Sequence, residues 1–179
     1  MMVDNDPDLE LMRAVAGGDE AALEELVRRW QRPVLAFVRR FLGCGDEEAR
    51  DIAQEAFLRV WTHRRRWRPT ARFSTWLFTI VANLCRNQLR SAGRRPTLVT
   101  LDDGEVRSAL ASRSTGPDRD PHSLAEARES GLKLRRALQR LPDAQRAALL
   151  LRQVEGLTYR QIGEVLGTTE AAVESLLVR

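Results

Sequence analysis

Two cysteines and two histidines are all the thiolate and imidazole metal ligands that 179 residues offer. Cys44 and Cys85 stand far apart, with no CxxC, so neither a disulfide framework nor a thiolate zinc site is indicated. The expectation is no metal site, no cofactor and two reduced, buried thiols. No apolar run approaches the ~18 residues that a membrane-spanning helix needs. The N-terminus is acidic, without the basic stretch and apolar run of a secretory signal. A cytoplasmic protein with no membrane insertion is expected. Ile, Tyr and Phe are sparse, whereas Ala, Leu and Arg dominate, a balance that favours helix over sheet. An all-α fold follows.

The most informative absence is of negative charge. No Asp or Glu occurs from Ala56 to Leu101, and ten arginines lie in that window. Residues 1–25 reverse the balance, with eight acids against one base, Arg13. The formal net charge of +4 conceals this asymmetry. A region cleared of carboxylates points to a polyanionic partner. Lys133 is the only lysine, and arginine favours bidentate contacts to phosphate and guanine.

Hydrophobic spacing then divides the chain. Residues 8–30 carry two helical patterns broken at Gly17-Gly18, with Asp19 placed to cap the second. Pro33 is expected to kink or restart that pattern, which resumes at Val34 and ends at Gly43-Cys44-Gly45. Ile52, Ala53, Ala56, Phe57, Val60 and Trp61 form one buried stripe, with Asp46 as the expected cap. In the stretch RFSTWLFTIVANLCRNQLR, Ser74 is placed as an N-cap, with Phe73 and Phe78 as a hydrophobic staple. Its polar line is Thr75, Thr79, Asn83, Arg86, Asn87 and Arg90. From Thr97 to Ser123 the periodicity fails amid Gly, Pro, Ser and Asp, as a flexible linker would. The expected organisation is therefore a helical unit over 1–96, a linker over 97–123 and a smaller helical unit over 124–179.

In the second unit, Leu134, Leu138 and Leu141 stripe one helix, and Ala147, Leu150, Leu151 and Val154 stripe another. Thr158 and Gln161 then fit a capping box, Gly163 allows close approach, and Gly167 sits where a turn needs it. Thr168 or Thr169 caps a last helix packed through Val173 and Leu177. That is the helix-turn-helix layout, whose last helix enters the DNA major groove. Thr168, Thr169, Glu170, Ala172, Glu174, Ser175 and Arg179 are the candidate duplex-reading residues.

In the first unit, aromatics interleave with arginines around residues 64–90. Arginine neutralises phosphate, and aromatics stack unpaired bases at ~1–3 kcal/mol each. Trp76 and Phe78 are assigned to the core, Trp67 and Phe73 to the exposed loop. Asp51 and Glu55 lie one helical turn apart, with Gln54 between them and Leu58 a turn further on. Two carboxylates so placed lack the Glu-x-x-His partners of a di-iron set. The remaining readings are a solvated edge or a protein-docking edge anchored by Leu58. No nucleophile or ligand constellation indicates an enzyme.

These pieces together resemble a bacterial RNA polymerase sigma factor of the extracytoplasmic-function (ECF) group, within the sigma-70 family. DEEARDIAQEAFLRVW resembles that family's region 2.1–2.2, and RFSTWLFTIVANLCRNQLR its regions 2.3–2.4. LPDAQRAALLLRQVEGLTYRQIGEVLGTTEAAVESLL resembles region 4. The resemblance implies docking of Asp51, Gln54 and Glu55 on the β′ clamp helices of core RNA polymerase, and Leu58 joins them as the apolar anchor of that edge. It implies contacts to the opened −10 promoter strand by Arg66, Trp67, Arg68, Arg72, Phe73, Asn83, Arg86, Asn87 and Arg90. For the second unit it implies binding to the β flap and reading of the −35 duplex. An anti-sigma factor is an implied further partner. The chain departs from the family pattern at Asn87, where Asp is frequent, and at Glu174 and Leu176, where basic residues are frequent. The alternative is a conventional helix-turn-helix regulator that binds duplex DNA without polymerase; it accounts for residues 143–179 but not for the acid-free window.

Overall fold

The computed structural model describes residues 6–91 and 121–178, the side chains of 121–128 excepted. Among the described residues every regular element is helical. The first group comprises α1 (Leu9–Gly17), α2 (Glu20–Leu42), α3 (Asp46–Thr62), a 3-10 turn (Arg64–Arg66) and α4 (Phe73–Ser91). The second comprises α5 (Pro121–Arg140), α6 (Asp143–Gln153), α7 (Tyr159–Leu166) and α8 (Glu170–Val178). Helix α5 thus begins three residues inside the segment read as linker. The rest of that segment lies outside the described residues.

Local chemistry explains most of the boundaries. The Asp19 carboxylate accepts from the Ala22 amide at 3.1 Å and opens α2, as expected. Pro33 does not interrupt it; α2 runs unbroken from Glu20 to Leu42. A proline inside a helix costs about 3 kcal/mol. Val34, Phe37, Val38 and Phe41 are fully buried on the same helix just beyond it. Burying each such side chain contributes roughly 1.5–3 kcal/mol, so packing outweighs the break. Gly43 closes α2 in the left-handed conformation at φ 68°.

Two expected caps are corrected. Gly45, not Asp46, is the N-cap of α3; Asp46 is the first helical residue and pairs with Arg39 at 2.9 Å. Helix α4 starts at Phe73, one residue before the expected Ser74 cap, so Phe73 and Phe78 do not form the staple. Both rings are wholly buried instead. Trp30 meets each edge-on at 6.1 Å, and Phe37 meets Phe78 at 5.4 Å. Three aromatic pairs, made with two rings of α2, hold α4 against α2 in place of a local staple.

The helix-turn-helix is built as read. Thr158 and Gln161 form a reciprocal capping box at the start of α7. A Cβ on Gly163 would lie 2.8 Å from the Thr168 carbonyl oxygen, so only glycine admits the turn this closely. Thr169 accepts from the Ala172 amide at 3.2 Å and opens α8, whose Val173 is fully buried. Leu134 and Val154 were assigned to core stripes, yet they are 58% and 40% exposed. Leu134 lies a turn before Leu138, beyond the reach of the core, and Val154 follows the end of α6.

The two groups of helices pack on each other through the C-terminus of α2 and through α4 against α7. Three side chains of the second group reach the carbonyls that α2 leaves unpaired. Gln139 donates to the Arg40 and Phe41 carbonyls at 3.1 and 3.2 Å. Arg135 donates to the Gly43 carbonyl, and Arg146 to that of Phe41 at 2.5 Å. Guanidinium groups there also complement the negative end of the helix dipole. Glu155, between α6 and α7, is partly buried, which pushes its carboxyl up from 4.5 to about 7 against the opposing pull of Arg40. The folded chain therefore keeps a proton that the unfolded chain has lost. Glu155 becomes progressively less favourable to folding as pH rises from about 4.5 to about 7.

Candidate nucleic-acid interface

Helix α3 turns Ala49, Ile52, Ala53, Ala56, Phe57 and Val60 inward. The same 3.6-residue period places Asp51, Gln54 and Leu58 on the exposed side, with Glu55 half-buried at their edge. Leu58 is 56% exposed. Glu55 pairs with Arg59 at 2.7 Å, one turn along the helix. Asp51 faces solvent. The four expected docking residues therefore form one continuous surface.

The arginine loop follows. Arg66, Arg68 and Arg72 are exposed. Arg68 donates to the Arg65 and Trp67 carbonyls at 3.0 and 3.2 Å, which ties the loop back on itself. Arg64 stacks over the Trp61 ring at 4.0 Å. On α4, Asn83, Asn87 and Arg90 are exposed and Arg86 is half-buried, donating to Asn83 at 3.2 Å. A basic loop and a polar helix face thus adjoin, with no carboxylate of their own sequence between them.

Two expected exposures are corrected. Phe73 is wholly buried and Trp67 is 7% exposed, so neither ring lies open for a base to stack on. The aromatic assigned to the core, Trp76, is instead half-buried. Residue type near a loop does not reveal which ring the core takes; that depends on Trp30 of α2 standing opposite Phe73. Thr75 likewise leaves the polar line, being 2% exposed.

In the second group, Thr168, Thr169, Glu170, Glu174 and Ser175 are exposed and Ala172 is half-buried. Ser175 donates to the Ala171 carbonyl at 3.0 Å. Arg179 lies outside the described residues. Arg86 and Arg90 face a cleft of about 420 Å³ whose opposite wall is Gln139, Asp143, Ala144 and Arg146. Part of the polar face of α4 thus looks across the seam at the second group.

One polar anchor escaped the sequence reading. The Asp6 carboxylate accepts from the Phe73 amide at 2.7 Å and from the Asp8 amide at 3.1 Å. Asp8, 1% exposed, accepts from the Trp30 indole N–H at 2.9 Å and from Arg29. The available signal was the acid-free window itself: a helix starting there has to find any acidic cap elsewhere in the chain.

Among the described residues no group of three or more His, Cys, Asp or Glu is placed to hold a metal, and no helix is long and apolar enough to cross a membrane. Burial pushes the Cys85 thiol far up, to the inert side.

The chain matches the family model for sigma-70 region 2 over residues 26–95 and that for sigma-70 region 4 over residues 131–179. It is 32% identical over 180 residues to the RNA polymerase sigma-H factor of Pseudomonas aeruginosa, covering 99% of this chain and 92% of that one. It is 30% identical over 172 residues to the ECF RNA polymerase sigma-E factor of Escherichia coli, covering 96% and 89% respectively. Its fold is similar to that of CnrH bound to the cytosolic domain of CnrY, with a TM-score of 0.69 at 23% identity over 96% of this chain and 90% of that one. It is also similar to that of RpoE from Bartonella quintana bound to the anti-sigma factor NepR, with a TM-score of 0.61 at 20% identity over 87% and 89%. With the helix-turn-helix, the acid-free basic helix and both family regions in register, the chain belongs to the ECF group of the sigma-70 family, the factors that bind core RNA polymerase and direct transcription initiation at promoters.

Proposed function

We propose that the work of this sigma factor is divided among three surfaces. The exposed edge of α3, with Asp51, Gln54, Glu55 and Leu58, docks on the β′ clamp helices of core polymerase. The loop arginines Arg66, Arg68 and Arg72, with Asn83, Arg86, Asn87 and Arg90 on α4, hold the displaced −10 strand. Helix α8 reads the −35 duplex through Thr168, Thr169, Glu170, Ala172, Glu174 and Ser175, with Arg179 beyond it. The units 1–96 and 124–179 are separate domains joined by the segment 97–123, and the second also binds the β flap. Sigma factors are generally initiation factors without enzymatic activity, and this chain acts in that way, in the cytoplasm. An anti-sigma factor is its regulator, a reading supported by the similar fold of RpoE bound to the anti-sigma factor NepR.

The observation that carries this reading is the juxtaposition of exposed Arg66, Arg68 and Arg72 with the polar face of α4, in a window without carboxylates. A carboxylate on that face would repel each phosphate of the strand. Asn83 is the residue to test, because it is exposed mid-helix and contributes nothing to the core. With Asn83→Ala, closed complexes should form normally, and permanganate footprinting should show roughly tenfold less opening at the −10 element. Wild-type opening on every promoter tested would remove the strand-contact role.

Docking has its own expected result. Asp51→Ala combined with Glu55→Ala should lower core-polymerase affinity by about 1–3 kcal/mol, as for a desolvated charge pair. The thermal midpoint should move little, because both side chains lie on the outer face of α3. A binding titration with unchanged affinity would dismiss the α3 edge as the docking surface.

A further inference from the structure

We infer that Asp6 is a positioning residue for promoter opening: it holds the first turn of α4, and with it the arginine loop, at a fixed angle to α2. Helix α4 starts without an acidic cap of its own; Arg72 precedes it and Ser74 lies inside it. Its first amide, on Phe73, is satisfied by the Asp6 carboxylate from 67 residues away, at 2.7 Å. Asp6 is only 9% exposed, so its charge faces the helix amides rather than the DNA side of the loop. This resolves a conflict in the sequence. A helix N-terminus favours a carboxylate, whereas a strand-binding loop excludes one.

The anchor is itself held. Asp6 also accepts from the Asp8 amide, and Asp8 fastens to Trp30 and Arg29 of α2. Helix α1 packs beneath the 3-10 turn Arg64–Arg66, so the N-terminal segment supports both ends of the loop. The strut therefore runs from α2 through Asp8 and Asp6 to the start of α4. Asp6 and Asp8 precede residue 26, where the match to region 2 begins. Loss of the cap frees the first turn of α4, and the loop must then be ordered again during strand capture. Docking through α3 does not use this turn.

This inference rests on the proposed −10 role of α4, and the experiment separates the two. Full-length Asp6→Ala, Asp6→Asn and Asn83→Ala are compared with wild type on one promoter with core polymerase. Closed-complex affinity and the rate of permanganate reactivity at the −10 thymines are followed. Asp6→Ala should open roughly threefold to tenfold more slowly, the range expected for losing a helix cap, with closed-complex affinity within about twofold of wild type. Asp6→Asn keeps one acceptor oxygen and should open faster than Asp6→Ala. It also serves as the decisive variant if Asp6→Ala does not fold, and it should then fall below wild type in opening alone. A wild-type opening rate for both Asp6 variants, beside a slow Asn83→Ala, overturns the strut and leaves the −10 reading standing. Equal losses in closed-complex affinity and opening overturn it as well, because they indicate general destabilisation. Wild-type opening by Asn83→Ala sinks the −10 role of that face, whatever Asp6 does.

Discussion

Arg146→Ala is expected to cost about 1.5–3 kcal/mol of stability and to part the two groups of helices, the scale of losing hydrogen bonds from a charged group. Arg146 is 4% exposed. Its guanidinium donates to the Phe41 carbonyl at 2.5 Å, to Gln139 at 2.9 Å, to the Leu141 carbonyl at 3.1 Å and to Asp143 at 3.0 Å. It also lies 5.3 Å above the Phe41 ring. Burial pulls its pKa down, and the neighbouring Asp143 offsets this. The guanidinium joins two helix ends, the C-terminus of α2 and the α5–α6 turn. Alanine leaves a cavity and strands the Leu141 carbonyl. Gln139 still donates to Phe41, which places the expected cost toward the lower end. Urea denaturation of the full chain gives the stability change, and small-angle scattering should show a larger radius of gyration. An unchanged denaturation midpoint would show that the seam contributes nothing to stability.

Phe73→Ala is expected to destabilise the protein by about 3–5 kcal/mol, the cost of emptying a buried aromatic site. The ring is fully buried, edge-on to Trp30 at 6.1 Å and to Trp76 at 6.3 Å. In a chain of this size that corresponds to a fall in thermal midpoint on the order of 10 °C. A ring stacking on a displaced base predicts a different result: an unchanged midpoint and weaker binding of single-stranded DNA. Differential scanning calorimetry separates the two. A midpoint within a degree of wild type would return Phe73 to the strand-contacting set.

The seam bears on both results. Arg86 and Arg90 line the cleft opposite Gln139, Asp143 and Arg146, and α7 packs on α4. A strand laid along α4 as far as Arg90 would meet the second group of helices. Parting the seam therefore widens access to the same arginines that are proposed to hold the −10 strand.

The helices, the helix-turn-helix and the bare basic window were legible in the sequence because each rests on local rules. Spacing of 3.6 residues sets which side of α3 is buried, and so which side carries Asp51, Gln54 and Leu58. The Thr158 capping box and the Gly163 approach depend on neighbours a few positions away. Removal of carboxylates is a property of composition alone. Tertiary structure decided the rest. Whether Phe73 or Trp76 enters the core depends on Trp30, which a different helix supplies. Pro33 survives inside α2 because residues from α4 bury the aromatic stripe beyond it. The Phe73 amide finds its acceptor in Asp6, and the end of α2 finds its donors in Gln139 and Arg146. These partners are separated by 67 to 105 residues. No local spacing encodes such pairs; they form because burying an unpaired amide or carbonyl costs more than bringing a distant side chain to it.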